Sequence, residues 1–446
     1  MDAGLAGVTP VERMGRDEAR SGLRLVFIAP FARAPKSTTS ARVIPLARAL
    51  AARGHRVTVL IPPYDNLAES GQVSEEGGVR IEALSIAERV PEQSLRQAWL
   101  QPRLALALVQ RAWALSPHAM HIFKPKAVSG LSQLLSWYGQ ALPRLLATRL
   151  GVPVPPPALV LDTDDWEGFG GWNDYEQYGW WQKQLCDRQE RWGLRHAHAV
   201  TAASRTLETQ AWSQGVPPER TVYLPNGLDL EEYRHWLEAD GQEARERLGL
   251  DGVPVLVLYT RFFEFQPPRV VQIMARVRAE VPEAKLLVVG AGKFGQEREL
   301  ERLARAAGMG EAIVLAGWQP PARLPSLLAA GDIALSPYED NLANRAKCSV
   351  RLLQLLWLGK PVVADRVGQQ AEYIEHGVSG LLSDPSDPDS MAAAAVRLLR
   401  DRDLAARLAA GGRQRVQQEL TWTCLASRAE QAYRVALGCT RGSQRR

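Results

Sequence analysis

Four short constellations in the chain have residue types and spacing that could do chemistry. Gly290-Ala-Gly292-Lys-Phe-Gly295 is a G-x-G-x-x-G between an apolar run and a helical pattern, the form of a dinucleotide fingerprint. That chemistry needs an acid at the end of the next strand to hold a ribose, and the next run ends Ala316-Gly317-Trp318-Gln319. The pattern therefore reads as a glycine turn that lets another chain or a ligand approach the backbone closely, and no dinucleotide cofactor is expected. Asp162-Thr-Asp164-Asp165 closes another apolar run. Two carboxylates could help hold a divalent cation together with a substrate phosphate, but alone they make a poor site, and no metal is expected. Asp164 and Asp165 still face whatever lies beyond the strand end, so they are candidates for binding an acceptor or for catalysis. Tyr223-Leu-Pro225-Asn226-Gly227 is a turn by composition. The fourth stretch, 341–359, reads NLANRAKCSVRLLQLLWLG. Arg345 and Lys347 precede a helix predicted from near Ser349, a suitable N-cap. Cations beside the free N–H groups and positive dipole end of a helix make an anion site, and a diphosphate fits it.

These residues need elements to hold them. LRLVFIAP (Leu23–Pro30) reads as a buried strand, ARVIPLARALAARGH as a helix ending at Gly54, and RVTVLIPP (Arg56–Pro63) as a second strand. Strand, helix, strand without a hairpin turn predicts a parallel sheet. HAMHIF (His118–Phe123), ALVLDTDD (Ala158–Asp165) and AHAVTAAS (Ala197–Ser204) extend the first series, with GVPVPPP (Gly151–Pro157) as a loop. A second series comprises Pro254–Thr260, Ala284–Gly290, Ala312–Trp318, Ile333–Tyr338 and Lys360–Asp365, separated by helical patterns. The expected fold class is α/β, with two tandem Rossmann-like, doubly wound domains and a cleft between the strand ends where ligands bind. The predicted division is a flexible leader over 1–22, a first domain over 23–235, a polar helical linker over 236–250, a second domain over 251–418, a helix over 419–437 and a tail over 438–446.

The chain has 446 residues, 46% hydrophobic and 23% charged, which suits two globular domains and excludes wholesale disorder. No apolar run approaches the roughly 20 residues of a spanning helix, and the N-terminal stretch has no secretory h-region. Four widely separated cysteines suit a reducing compartment, so a cytoplasmic location is expected. The net charge of +5 comes largely from scattered arginines, with basic stretches at 103–111 and 144–149. It is compatible with phosphorylated ligands or a peripheral contact with an anionic membrane. No zinc knuckle, RNP-like motif or basic zipper marks a nucleic-acid binder. Residues 166–184, WEGFGGWNDYEQYGWWQKQ, crowd aromatics between glycines; they read as a lid on their own domain, with stacking on a sugar or a place at lipid headgroups as the alternatives.

The order of motifs resembles glycosyltransferase family 4 (group 1), retaining enzymes of the GT-B fold. LARALAARGHRVTVL, HAVTAASRTL, VYLPNGLDLEEY, KLLVVGAG, VLAGW, LLAAGDIALSPYED, GKPVVADRVGQQAEYIEHGVSGLLSDPSD and the late Leu420-Thr-Trp422 carry the resemblance from Leu23 to about Leu437. It implies that the last helix crosses back to the first domain, that a nucleoside-diphosphate sugar is the donor, and that no metal or other cofactor is required. The acceptor is left open among glycans, lipid-linked molecules and small molecules. The two glutamates of the family's Glu-x7-Glu fall on Ala346 and Gln354, with Asp340 or Glu339 as loop substitutes. The family's diphosphate arginine and lysine fall on Arg261 and Gln266. Its histidine after the H-x-H strand falls on Phe123, next to Lys124, while Glu372 matches the G-x-x-E glutamate. The resemblance thus implies donor contacts from Arg261, Gln266, Asp340, Asn344, Arg345, Lys347, Gln354 and Glu372, and acceptor or catalytic roles for Lys124, Asp164 and Asp165. A GT-B binding protein without transfer activity and a sugar-nucleotide epimerase are the alternative readings.

Overall fold

The computed structural model describes residues 22–36, 38–87, 95–140 and 156–443. The predicted leader up to residue 21, the basic stretch 144–149, most of the GVPVPPP loop and the last three residues lie outside the described residues. Among these, an eight-stranded sheet has the order β3-β4-β2-β1-β5-β6-β7-β8. Its strands are β1 (Arg24–Ile28), β2 (Arg56–Ile61), β3 (Val73–Glu76), β4 (Val79–Ala83), β5 (Ala119–Phe123), β6 (Ala158–Thr163), β7 (Ala199–Ala202) and β8 (Thr221–Tyr223). A six-stranded sheet has the order β11-β10-β9-β12-β13-β14. It is built from β9 (Val255–Tyr259), β10 (Lys285–Val289), β11 (Ile313–Gly317), β12 (Ile333–Ser336), β13 (Val362–Asp365) and β14 (Leu381–Ser383).

All neighbouring strands are parallel except β3 and β4. Most are continuous apolar runs because helices cover both faces of each sheet. The β3–β4 hairpin was not expected from the sequence, because VSEE and VRIEA hold no continuous apolar run. Gly77 and Gly78 both take positive φ, 57° and 75°, which a two-residue hairpin turn requires and glycine supplies without steric cost. Each sheet reverses its strand order once, between β1 and β5 and between β9 and β12, so each has a crevice at the strand ends. The chain just after these strands carries Lys124, Arg261 and Tyr338.

The stretch read as a linker packs on the second domain. Trp236, Ala244 and Leu250 are buried in the cluster formed with Val255, Leu327 and Trp357. The indole N–H of Trp357 donates to the carbonyl of Tyr233 at 2.9 Å. The final helix, Trp422–Ser443, returns to the first domain. Trp422, Leu425, Ala426, Ala429, Tyr433 and Ala436 recur at helical spacing and are buried with Leu46, Leu50 and Val160.

Beneath that helix lies a polar network without access to water. The Arg42 guanidinium donates to both oxygens of Asp162, at 2.8 and 2.6 Å, and to the Leu224 carbonyl at 2.8 Å. Thr201 donates to Asp162 at 2.6 Å, and His121 bridges Thr201 and the hydroxyl of Tyr433. Burial pushes the His121 imidazole down to about 4, so it stays neutral and uses both ring nitrogens as hydrogen-bonding sites. Asp162→Ala strands a buried arginine and should cost about 3–5 kcal/mol of stability in urea unfolding.

Candidate functional site

The site is built on loops at the C-terminal ends of β9 and β12. After β9 the chain turns sharply, with Phe262 at φ 64°, a left-handed conformation rare for an aromatic residue. This turn leaves Arg261 exposed and folds Glu264 inward to full burial. One oxygen of Glu264 accepts from the Thr260 hydroxyl at 3.0 Å and the Phe263 N–H at 3.1 Å. The other accepts from both Lys347 Nζ and Arg351 Nη2. Lys347 precedes, and Arg351 belongs to, the helix Val350–Leu358, whose first turn is capped by the Ser349 hydroxyl. Three cations therefore gather where that helix starts, against one carboxylate.

Each group titrates as its surroundings dictate. Desolvation alone would raise Glu264, yet Lys347, Arg351 and Arg261 hold it well below the usual carboxylate range. Burial, opposed by Glu264 and assisted by Arg351 and Arg261, pulls Lys347 down to about 8. Desolvation and then Arg351 also lower Arg261, although its side chain reaches solvent in the cleft. Arg261 forms no ion pair among the described residues. Its guanidinium carbon lies 5.2 Å from the ring of Trp172, and Lys347 Nζ lies 5.5 Å from that ring. Trp172 belongs to the first domain and meets Phe263 edge-on at 5.1 Å. The aromatic segment read as a lid thus reaches across the cleft.

On the opposite wall, Lys124 sits at φ 59° just after β5. Its ammonium lies 3.0 Å from Asp164, 2.7 Å from Asp165 and 3.3 Å from Glu167. Glu167 also pairs with Lys126 at 3.1 Å. Desolvation raises Asp164 to about 6 against the pull of Lys124, which faces its Oδ1 at 3.0 Å, while the Thr38 hydroxyl donates to its Oδ2 at 3.3 Å. Asp162 serves a different partner, Arg42, so the D-x-D carboxylates do not act as a pair.

The other sequence-derived candidates are spread around this centre. Asn344 donates to the carbonyls of Glu264 and Glu339, at 2.8 and 2.9 Å, and staples the two loops together. Arg345 turns outward and chelates Asp340 on the exposed surface. Gln266 is exposed at the N-cap of the helix Pro267–Glu280. Gln354 is buried, donating to the Tyr233 hydroxyl at 3.0 Å. Glu372 accepts from the Tyr223 hydroxyl at 2.7 Å and the Arg205 N–H at 3.0 Å, so it links the domains. The G-x-G-x-x-G is indeed a close-approach turn: a Cβ on Gly290 would lie 1.8 Å from the Thr260 carbonyl oxygen. The N–H groups of Gly292 and Phe294 are taken by Glu297 and Gln296. Sequence reasoning missed Glu264 and Arg351. Arg351 stands in the first turn of the helix that follows Lys347. Nothing local marked Glu264, whose ion-pair partners Lys347 and Arg351 are more than eighty residues away.

Two doubly wound domains opposed across such a cleft define the GT-B architecture of glycosyltransferases. The family comparisons agree: residues 256–401 match the model of glycosyl transferases group 1, and residues 38–227 match the glycosyl transferase 4-like domain. The chain belongs to this group and is a glycosyltransferase. It is 26% identical over 319 residues to a GDP-mannose-dependent alpha-(1-6)-phosphatidylinositol monomannoside mannosyltransferase of Mycolicibacterium smegmatis, covering 69% of this chain and 79% of that one. Among solved structures, the Anabaena protein HepE in complex with UDP and glucose superposes with TM-score 0.63 at 18% identity, over 92% of this chain and 98% of that one. The catalytic domain of starch synthase IV from Arabidopsis thaliana, bound to ADP and acarbose, gives TM-score 0.69 at 15% identity, over 94% and 100%. These two show a shared fold.

Because Trp172 stands beside Arg261 and Lys347, nucleoside diphosphate should change the tryptophan emission. Trp172→Phe should remove most of that change in a fluorescence titration.

Proposed function

We propose that this glycosyltransferase takes its sugar from a nucleoside-diphosphate donor held by Arg261, Lys347 and Arg351, and passes it to an acceptor hydroxyl positioned from the opposite wall. The observation that carries this reading is the cluster around Glu264. Three cations against one carboxylate leave an excess of positive charge at the start of a capped nine-residue helix. Lys347 has three donors and spends one on Glu264, and Arg351 has five, so both keep donors for phosphate oxygens. As the glycosidic bond breaks, negative charge grows on the departing diphosphate, and preorganised cations and helix N–H groups stabilise that charge. The side-chain cations supply what a divalent ion otherwise would, so the reading includes no metal, and activity should survive chelation. Group membership supports retention of anomeric configuration.

The roles of the remaining candidates differ in kind. Asn344 positions the loops. Gln354 reaches the donor ribose only by exchanging its bond to Tyr233, and Arg345, Asp340 and Gln266 act at the rim of the donor site. Glu372 acts through domain closure. Lys124 balances Asp164 and Asp165, and these carboxylates receive the acceptor hydroxyl. Asp165 also acts electrostatically on Arg261, so acceptor and donor walls sense each other across the cleft. A GT-B scaffold that only binds would not need this carboxylate wall, which favours transfer over the non-catalytic alternative.

Lys347→Ala should weaken nucleoside-diphosphate binding roughly tenfold, the loss of one charge-assisted hydrogen bond. The expected pH dependence follows from the depressed lysine: it is charged below about 8 and neutral above. Affinity should therefore fall as pH rises through that value, and the alanine variant should lose this inflection. Calorimetry across the pH range checks both, and an unchanged affinity in the variant removes Lys347 from the site.

A further inference from the structure

The helices Leu95–Ala114, Ala127–Gly139 and Trp180–Arg195 pack side by side on one face of the first sheet. Their inward residues, such as Leu104, Leu108, Val128 and Leu194, are buried as expected. Their outward residues are not the polar set that a water-facing helix carries. Trp99 and Leu106 are exposed seven residues apart on the first helix, and Leu134 and Tyr138 four apart on the second. Trp181 and Leu185 are exposed four apart on the third, beside Trp180. Trp99 is 76% exposed, Trp181 75% and Tyr138 61%, so most of each residue faces solvent. The stripe continues to Trp192, whose ring lies 6.0 Å from that of Tyr138 and joins the second and third helices into one surface. Exposed apolar side chains elsewhere, such as Val73, Trp212, Trp318 and Val378, are spread over both domains, which is ordinary.

Charge on this face has one sign. The helix Ala127–Gly139 has no charged residue, and Leu95–Ala114 has no acid. The two acids of Trp180–Arg195, Asp187 and Glu190, are buried. Arg103, Arg188 and Arg195 are exposed, and Arg103 and Arg188 form no ion pair among the described residues. Tryptophan and tyrosine rings with an apolar body and a polar edge, leucines between them and arginines around them match a lipid headgroup layer. Among the described residues no helix is long and apolar enough to cross a membrane. The surface is suited to lying on a bilayer.

We propose that the outward face of these three helices docks the protein onto an anionic lipid bilayer. The helix Trp180–Arg195 follows directly from the segment whose Trp172 reaches Arg261 and Lys347. The docked face therefore leads to the mouth of the cleft, and an acceptor anchored in that bilayer enters along the segment. This last step rests on the proposed transfer function; the docking itself does not.

Flotation with vesicles tests it. The full chain should float with phosphatidylcholine vesicles containing phosphatidylglycerol, with roughly tenfold more protein bound than to phosphatidylcholine alone. The excess should vanish in about 0.5 M salt. Arg103→Glu with Arg188→Glu should abolish the preference for anionic vesicles. Trp181→Ser with Leu185→Ser should reduce binding to both kinds. The circular dichroism spectrum and the thermal midpoint should be unchanged in all these variants, which establishes that they fold. Equal binding to neutral and anionic vesicles, no binding, or binding that survives both double variants overturns the proposal. Self-association by light scattering that the Trp181→Ser and Leu185→Ser variant dissolves, without vesicle binding, assigns the face to a second copy and overturns it too. A chain that floats but transfers no sugar overturns the proposed function and leaves the docking surface standing.

Discussion

Bringing three cations together at the floor of a protein cleft costs free energy unless something inside the protein opposes their repulsion. Glu264 does so with one oxygen facing Lys347 and Arg351 and the other tied to the loop that carries Arg261. Removing its charge would leave Lys347 beside two guanidiniums with nothing to hold its proton, because burial and like charges both favour the neutral amine. The conformation of the β9 loop, the direction of Arg261 and the protonation of Lys347 therefore depend on one buried carboxylate. Its desolvation penalty is met by four donors, which is what makes an interior charge tolerable.

The departures from the family pattern lie close to this arrangement. Acids are missing at Ala346 and Gln354, and a lysine is missing at Gln266. The structure instead gathers Glu264 from the β9 loop with Lys347 and Arg351 around the N-terminus of the helix Val350–Leu358. Glu264 and Lys347 lie on adjacent segments stapled by Asn344 and Arg351 in the first turn of the helix that follows, so the cluster lies within one domain.

The cleft also depends on contacts that cross between the domains. The Ser204 hydroxyl donates to the Ala346 carbonyl at 2.9 Å, Asn226 donates to the Cys348 carbonyl at 3.1 Å, and Tyr373 donates to the Asn226 carbonyl at 3.0 Å. With Glu372 on Tyr223 and Arg205, they set the chain segment 346–348 directly against the first domain. The segment that carries Lys347 is thus held from both sides, by Glu264 within its own domain and by Ser204 and Asn226 of the other. Asn226 and Gly227, read from composition as an ordinary turn, lie at this seam.

Much was legible in the order of residues along the chain. Apolar runs separated by helical patterns determined two parallel α/β sheets, because a strand buried on both faces is built mostly of apolar residues and carries a polar one only where a buried partner meets it. Ser349 as an N-cap, Lys347 before it and the glycine turn at Gly290 were local properties that needed no partner to be recognised. The β3–β4 hairpin escaped because β3 is a polar edge strand and β4 alternates apolar with charged residues, and Glu264 escaped because a lone acid in a loop has no signature. Only the tertiary structure decided which charges meet. It turned Arg345 outward to Asp340, sent Gln354 to Tyr233, gave Asp162 to Arg42 and brought Glu264 to Lys347 across eighty residues of chain. The physical reason is the range of the two kinds of information. Helix and strand formation are set by neighbours a few residues apart, whereas the sign and strength of an electrostatic site depend on burial and on partners that only the packed fold brings within hydrogen-bonding distance.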